Sequence, residues 1–463
     1  MDPEKNKRHQ SLKVIISETI MVIAVILTVT ILAFLVSGYW INSDFKVERQ
    51  GLLQISSIPT GADVSIDGVS SSWLQRTNTS KVLSSGEHTI TLTKDGYDSW
   101  TKTINISEGL LYRIHYPRLF LNDRTKQTVF DTTNSTLATI SPDHSYLLLI
   151  NNTTEWKFIN LDNEKIEPTK IDISKLFSSV ELSEPPEKSL FTGEILKISW
   201  DYDSNHALIK TKSGDTIEYI LLDVKNPKNS INITKEFGAN FTEIQILDNS
   251  SNNLLAVQNG NLHKINLPDK SISSVLVENI ADFDHYNGNE VIFSTDNYVG
   301  LLEIGEDKIT KLQEISTPAK VTLSKFYEDK YITILEGHLV SLYYKENFSK
   351  LADFELPFAP ESMEVGHSGE FITMYSGSQI ATLDMESTSV REWVVEGNTF
   401  GWIDNDMIYT IADGQLIVYD YDGFNRRIIA NNVSNRFSAA ITSDKWLYYF
   451  SDNSLIREWL IKQ

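Results

Sequence analysis

Beyond residue 120 the chain repeats itself, and a repeat limits what a sequence can fold into more tightly than any other feature. Successive units open on "ATISPDHSYLLLI", "LKISWDYDSNHALIKT", "IQILDNSSNNLLAVQ", "ADFDHYNGNEVIFST", "VTLSKFYEDKYITIL", "MEVGHSGEFITMY", "FGWIDNDMIYTI" and "AAITSDKWLYYFS". They begin near Ala138, Leu196, Ile244, Ala281, Val321, Met363, Phe400 and Ala440, with a spacing of about 40 residues after the first two steps. Each reads as apolar strand, polar Asp/Asn/Gly turn, apolar strand. A second turn, such as "KSGD", "NGN", "SGS" or "ADG", leads to a third strand, and a more polar fourth follows, such as "KSISSVLV" or "TSVREWVV". Four short strands in each such period describe a propeller blade, so the expected fold class is all-β.

The last unit ends on "SLIREWLIKQ", its third strand, and lacks a fourth. Upstream of the first unit lies "KQTVFD", Lys126 to Asp131, a strand with no blade of its own. Lending it to the last blade removes an exposed sheet edge. The expectation is eight blades closed into one ring over residues 119–463, with seven the alternative if a unit around Ala281 or Val321 is miscounted. "SPDHSYLLLI" and "IVYDYDGFNRRII" resemble the TolB-like or WD40-like (PD40) propeller repeats, a resemblance that covers about two thirds of the chain. The first step is long because of an insertion, Ile173 to Glu194, which carries Pro185-Pro186 and several acids. A long insertion on a rigid scaffold is a candidate contact loop. The plainer alternative is a surface crossover with one helical turn in "SKLFSSV".

Ile20 to Val36, "IMVIAVILTVTILAFLV", carries no charge. Extended through Ile41 it gives about 20 residues, enough to cross a hydrocarbon core of about 30 Å. Tyr39 and Trp40 stand at its far end, and Lys5, Lys7, Arg8 and Lys13 precede it. The positive-inside rule then places residues 1–19 in the cytoplasm, a single transmembrane helix at 20–41, and the remainder outside the cell, with a polar tether at 42–50. A cleaved signal peptide is the alternative, but its apolar region is usually only about 7 to 15 residues.

Residues 51–118 alternate with period two around Asp-Gly turns at Asp67-Gly68 and Asp95-Gly96, which indicates a small antiparallel β-domain. These residues resemble the PEGA domain, a small β-domain of bacterial and archaeal surface proteins. The matching positions are Pro59, Gly61 and Ala62 of the Pro-x-Gly-Ala turn; Val64, Ile66, Asp67 and Gly68 of the strand that follows; Gly86 and His88; and Gly96 and Tyr97. Where the family has a Gly-x-Thr-Pro turn, this chain has "VSSSWLQRTNTS", with Trp73 in a polar loop. The resemblance implies a β-sandwich on a membrane- or wall-facing protein. The motif residues themselves read as turn and core positions, and Trp73 is the one candidate for a ligand contact.

The formal net charge of −21 argues against nucleic acid, whose phosphates need Lys and Arg. No cysteine is present, so disulfides and thiolate chemistry are excluded. Nucleotide-binding glycine loops, HExxH and GxSxG motifs are missing. "GHSGE" (Gly366 to Glu370), "DYDSN" (Asp201 to Asn205) and "DYDGFN" (Asp420 to Asn425) read as strand-connecting turns, since the latter two lack the glycine and glutamate of a calcium loop. No catalytic, metal or cofactor residue is expected. The reading is a membrane-anchored, extracytoplasmic binding or scaffold protein whose partner is an envelope protein or cell-wall glycan. The alternative is a propeller-type glycosidase or lyase, assembled from carboxylates of different blades.

Overall fold

The structure, a computed structural model, describes residues 3–36, 39–41, 47–70, 76–132, 135–181, 189–247, 252–286, 288, 290–306, 308–397, 399–435 and 438–461, with side chains at 18–34, 39 and from 49 onward within those ranges. The chain divides into two units, Met1–Asp123 and Arg124–Gln463. Trp73 lies outside the described residues.

The first unit opens on a helix, Pro3–Val36. Its apolar residues follow no 3.6-residue period, and Ile20, Met21, Val25, Ile26 and Val29 are all more than half exposed. The Thr28 and Thr30 hydroxyls donate back to the Ala24 and Ile26 carbonyls at 2.8 Å, which hides their polarity inside the helix. Among the described residues no helix is long and apolar enough to cross a membrane. Side chains of this helix are described only from 18 to 34, short of the roughly 20 residues a span takes.

The structure draws the next boundaries differently from the sequence reading. The helix stops at Val36, and Tyr39–Ile41, expected as the end of a span, is a strand paired antiparallel with Val47–Arg49. Aromatic and β-branched residues favour the strand, and it is fastened by Phe34 stacking on Tyr39 at 5.0 Å and by Arg49 over the same ring at 5.1 Å. Val47–Ile55 is one continuous strand, so the end of the expected tether at 42–50 belongs to a sheet.

Two four-stranded sheets follow. One pairs Val47–Ile55 with Tyr39–Ile41, Thr79–Ser84 and, in parallel, Leu111–Ile114. The other runs Val69–Ser70, Asp63–Ile66, Gly86–Thr93, Trp100–Ile106. The period-two pattern does what it should: Leu53, Ile55 and Ile114 from the first sheet and Val64, Ile90, Leu92, Trp100 and Ile104 from the second are buried. Gly51 permits the close approach, because a Cβ there would lie 2.4 Å from Ile106 Cγ2.

The second unit contains eight four-stranded antiparallel sheets among its described residues. Their first strands are Ser135–Ile140, Glu194–Trp200, Glu243–Ile246, Ile280–His285, Lys320–Phe326, Ser362–Val365, Phe400–Trp402 and Ala440–Thr442, one for each repeat read from the sequence. The weak units at Ala281 and Val321 are full sheets, so the count of seven is set aside. From sheet 1 to sheet 7, each sheet packs on the next through apolar side chains: Trp156 and Phe158 of sheet 1 share a cluster with Ile209 and Ile220 of sheet 2, and Leu342 of sheet 5 shares one with Met374 of sheet 6. Trp446 and Tyr448 of sheet 8 pack on Leu147 and Leu149 of sheet 1, which brings the series back to its start. This arrangement is consistent with a β-propeller.

Sheet 8 takes its fourth strand from the beginning of the unit. Lys126–Asp131 pairs antiparallel with Ser454–Trp459, with Thr128 opposite Ile456. Buried charge fastens this seam. Glu458, 1% exposed, accepts from Arg124 Nε at 2.7 Å and from the Tyr449 hydroxyl at 2.6 Å. Arg124 also donates to the Ile429 carbonyl of sheet 7. Arg457 donates to Gln127 Oε1 at 2.7 Å and lies 4.1 Å from the centre of the Trp446 ring.

The insertion at 173–194 is built into the seam between sheets 1 and 2. Phe177 and Phe191 pack on Trp156 at 5.1 and 5.3 Å, and Val180–Glu181 pairs with Leu190–Phe191. The buried Glu218 carboxylate accepts from the Ser178 N–H, the Ser178 hydroxyl and Asn232 Nδ2. The helical turn expected in "SKLFSSV" is a simple turn: Leu176 N–H reaches the Ile173 carbonyl, and the chain then drops Phe177 into the core instead of continuing. Residues 182–188, with Pro185-Pro186, lie outside the described residues.

Candidate functional site

Gly61 has φ +76°, and Lys94 Nζ donates to the neighbouring Thr60 carbonyl at 2.8 Å. Asp67 and Gly68 have φ +52° and +75°, the paired left-handed conformation of a type I′ hairpin turn. Gly86 and Gly96 also have positive φ, Ala62 and Tyr97 are buried, and Pro59 directly precedes the Gly61 turn. Asp67 and His88 pair: Asp67 Oδ2 meets His88 Nδ1 at 2.7 Å, and Asp67 Oδ1 accepts the Thr89 N–H at 2.8 Å. His88 Nε2 faces the Ser84 carbonyl at 2.9 Å. With an oxygen acceptor on both ring nitrogens, the imidazolium is the form that satisfies the site. Burial opposes that charge, but the Asp67 and Ser84 bonds outweigh it and raise the His88 pKa. The Thr89 N–H and His88 hold the Asp67 carboxyl below its usual range. The motif residues therefore make turns and one clasp.

The larger feature is in the second unit. The first strands of sheets 1 to 7, and the residues just before the first strand of sheet 8, line one cavity of about 1280 Å³. Thr139, Ser199, Gln245, Asp284, Thr322, Glu364 and Gly401 supply one lining position from each of sheets 1 to 7 in turn, and Ala439, next to the first strand of sheet 8, completes the set. Hydrogen bonds pass from sheet to sheet around it. Lys197 pairs with Glu243 at 2.7 Å, Gln245 Nε2 donates to the Phe283 carbonyl at 2.9 Å, and Asp282 and Asp284 accept the Val321 and Leu323 N–H groups at 2.9 and 3.1 Å. Burial pushes the Asp282 carboxyl up, against the Val321 N–H and the charge of Lys320.

The turns joining first to second strands gather at one end. Tyr202 of sheet 2 stacks on His367 of sheet 6, with ring centres 5.1 Å apart and planes 25° from parallel, and meets Tyr286 of sheet 4 edge-on at 5.7 Å. Sheets 2 and 6 are four apart in a series of eight, so the stack spans the channel. Burial, the Tyr202 hydroxyl and the Asp203 charge push the Tyr286 phenol up to about 12. His144 of sheet 1 sits at the same end, its Nδ1–H donating to the Ile441 carbonyl at 3.2 Å. Burial holds both His144 and His367 below the ordinary imidazole value, against the carboxylates of Asp404 and Asp143 for the first and Asp143 for the second. Asp143 is itself pushed up by burial, but bonds from Ser141, Ser145 and Ser204 bring it below the usual range. At neutral pH the cap is a set of neutral rings beside fixed carboxylates.

The sequence reading of "DYDSN", "GHSGE" and "DYDGFN" as turns holds: Ser204, Gly369 and Gly423 N–H groups close them onto Asp201, Gly366 and Asp420. It did not recognise that Tyr202 and His367 within them form a site. The signal was present in one respect, since like turns of a repeat share a face. Which two turns face each other depends on the number of sheets.

Residues 50–117 match the PEGA domain family. No curated protein matches the chain. Among solved structures, apo AztD from Citrobacter koseri is similar at 10% identity over 80% of this chain and 94% of that one, with a TM-score of 0.41. Hsv2 from Kluyveromyces lactis is similar at 9% identity over 64% of this chain and 98% of that one, with a TM-score of 0.43. Likenesses this distant carry nothing about ligand or activity.

Proposed function

We propose that this is an extracytoplasmic binding or scaffold protein, anchored by the uncharged stretch 20–36 of its N-terminal helix, whose contact site is the capped channel of an eight-bladed, TolB-like or WD40-like propeller. The observation that carries the reading is the convergence of all eight sheets on one cavity spanned at one end by Tyr202 and His367. A ring held by its own termini keeps its shape when a ligand binds, which reduces the ordering cost of association. The anchor rests on the uncharged run and the basic residues before it, and on the exposed apolar side chains of the helix. Held there, the ring has a raised effective concentration for an envelope partner.

Binding is favoured over catalysis because the channel carboxylates have structural work. Asp282 and Asp284 hold sheet 5 to sheet 4, and Glu364 accepts from the Tyr375 hydroxyl at 2.6 Å. The test is photo-crosslinking on intact cells, with a photoreactive amino acid at position 199 inside the channel and another at 394 on an outer strand. A partner captured from 199 and not from 394 supports the channel as the contact site. Equal capture from both positions, or none, contradicts it. Protease added to spheroplasts tests the anchor: a protected N-terminal fragment is expected, whereas a soluble form beginning near residue 37 contradicts it.

A further inference from the structure

Three rings stand in a row beside the cavity. Trp402 lies 6.2 Å from Phe371 with planes 20° apart, and Phe371 lies 4.0 Å from Tyr421 with planes 17° apart. Phe371 and Tyr421 are buried, while Trp402 is half-buried and lines the cavity. The two inner rings thus hold a flat indole rigidly at the channel wall. Gly366 keeps the flank beside it thin, since a Cβ there would already be 3.5 Å from Trp402 Cζ2. Trp200 lines the same cavity from sheet 2, its Nε1–H directed at Thr139 Oγ1 at 3.4 Å and its ring packed in part on Phe158 at 6.0 Å, which fixes it in the wall. Among these rings stand Ser199, Gln245, Asp284 and Glu364, whose hydroxyl and amide groups donate to and accept from hydroxyls and whose carboxylates accept from them.

Flat aromatic walls with scattered uncharged and acidic hydrogen-bonding groups suit a ligand with apolar C–H faces and a rim of hydroxyls. We infer that the channel binds the end of an uncharged saccharide, with a pyranose ring stacked on Trp402. This names the ligand of the binding reading above and rests on it. Charge selects against anionic glycans, because lining carboxylates outnumber lining lysines and the chain carries −21. Size fits an oligomer, since 1280 Å³ exceeds the roughly 300–1,000 Å³ of small-ligand pockets. The Tyr202–His367 stack stands across one end, so a chain end enters from the opposite side, where Leu196 and Lys197 are exposed, and meets the stack.

The experiment is calorimetric titration of the full chain in detergent with cellotetraose, maltotetraose, chitotetraose and, as the anionic probe, tetragalacturonate. A glycan array widens the neutral set. Saturable binding of a neutral oligosaccharide is expected, weakened about tenfold or more by Trp402→Ala and only a few-fold by Trp402→Phe, which keeps an aromatic face. Val394→Ser, on an outer strand, should leave affinity unchanged, and the melting temperature of each variant shows that the ring is intact. Binding by no neutral glycan, preference for tetragalacturonate, or full affinity in a folded Trp402→Ala variant would each overturn the inference. Capture of a protein from position 199 with no saccharide bound would leave the binding reading standing and remove this one.

Discussion

The two units use polar residues in opposite ways. In the PEGA-like domain the polar pair that matters, Asp67 and His88, sits at a hairpin turn, with Asp67 about half exposed. In the ring, the polar residues that matter most to shape are at the closing seam, where Glu458 and Arg457 are 1% and 5% exposed. A surface clasp is supported by local turns and contributes modestly. A buried ion pair has few alternatives, and loss of one partner strands the other without water. Sequence motif strength is therefore a poor guide to energetic weight here: the recognisable motif makes turns, and the featureless last strand carries the closure.

That contrast can be broken most severely at the seam. Deleting Lys126–Asp131 should expose the edge Ser454–Trp459 and cause aggregation or loss of cooperative unfolding, read by light scattering and thermal denaturation. A monomeric deletion variant with an unchanged melting temperature would contradict the closure. Arg124→Ala should cost about 3–5 kcal/mol by urea denaturation, because Glu458 is left buried with less compensation. Phe371→Ala, which removes the middle ring of the Trp402 stack, should cost a similar 3–5 kcal/mol or so. A loss under about 1 kcal/mol would mean that the indole is not held by that stack.

Most of this architecture could be read from the sequence, and the reasons are local. Strand, turn, strand at a fixed period fixed all eight sheets, and the orphan "KQTVFD" had one place to go. The helix end was misplaced because Tyr39 and Trp40 suit a membrane interface and a strand equally well. The site was hidden because its geometry is non-local. Tyr202 and His367 are far apart in sequence, each in an ordinary polar turn, and only the eightfold count sets them opposite one another. Trp402 became a platform through Phe371 and Tyr421, which no spacing rule connects to it.

Smaller effects concern pH, and the two units should respond with opposite sign. The lowered pKa values of His144 and His367 mean that the unfolded chain takes up protons first, so the cap should loosen as pH falls below the ordinary imidazole value of 6.5. Amide exchange at 141–145, 202–206 and 366–370 should speed up at pH 5 relative to pH 7.5 beyond the intrinsic chemical change, and His367→Phe should blunt the effect. Unchanged protection would show that the cap does not titrate. His88 behaves in reverse. Its raised pKa stabilises the folded domain fully below 6.5, and that contribution fades as pH rises through the raised value. The lowered pKa of Asp67 contributes above 3.8 and fades as pH falls through its lowered value. The melting-temperature gap between the natural chain and His88→Phe should thus be wider at pH 5.5 than at pH 8.5, and an equal gap at both would contradict a charged clasp.

The most direct test is whether the turns of sheets 2 and 6 meet across the ring. The chain has no cysteine, so Tyr202→Cys with His367→Cys gives a clean pair for a short bifunctional maleimide. An intramolecular crosslink between positions 202 and 367, found by mass spectrometry of monomeric protein, is the expected result. No such crosslink, in a folded variant whose two cysteines each react with a monofunctional maleimide, would contradict the eight-sheet ring and its capped channel together.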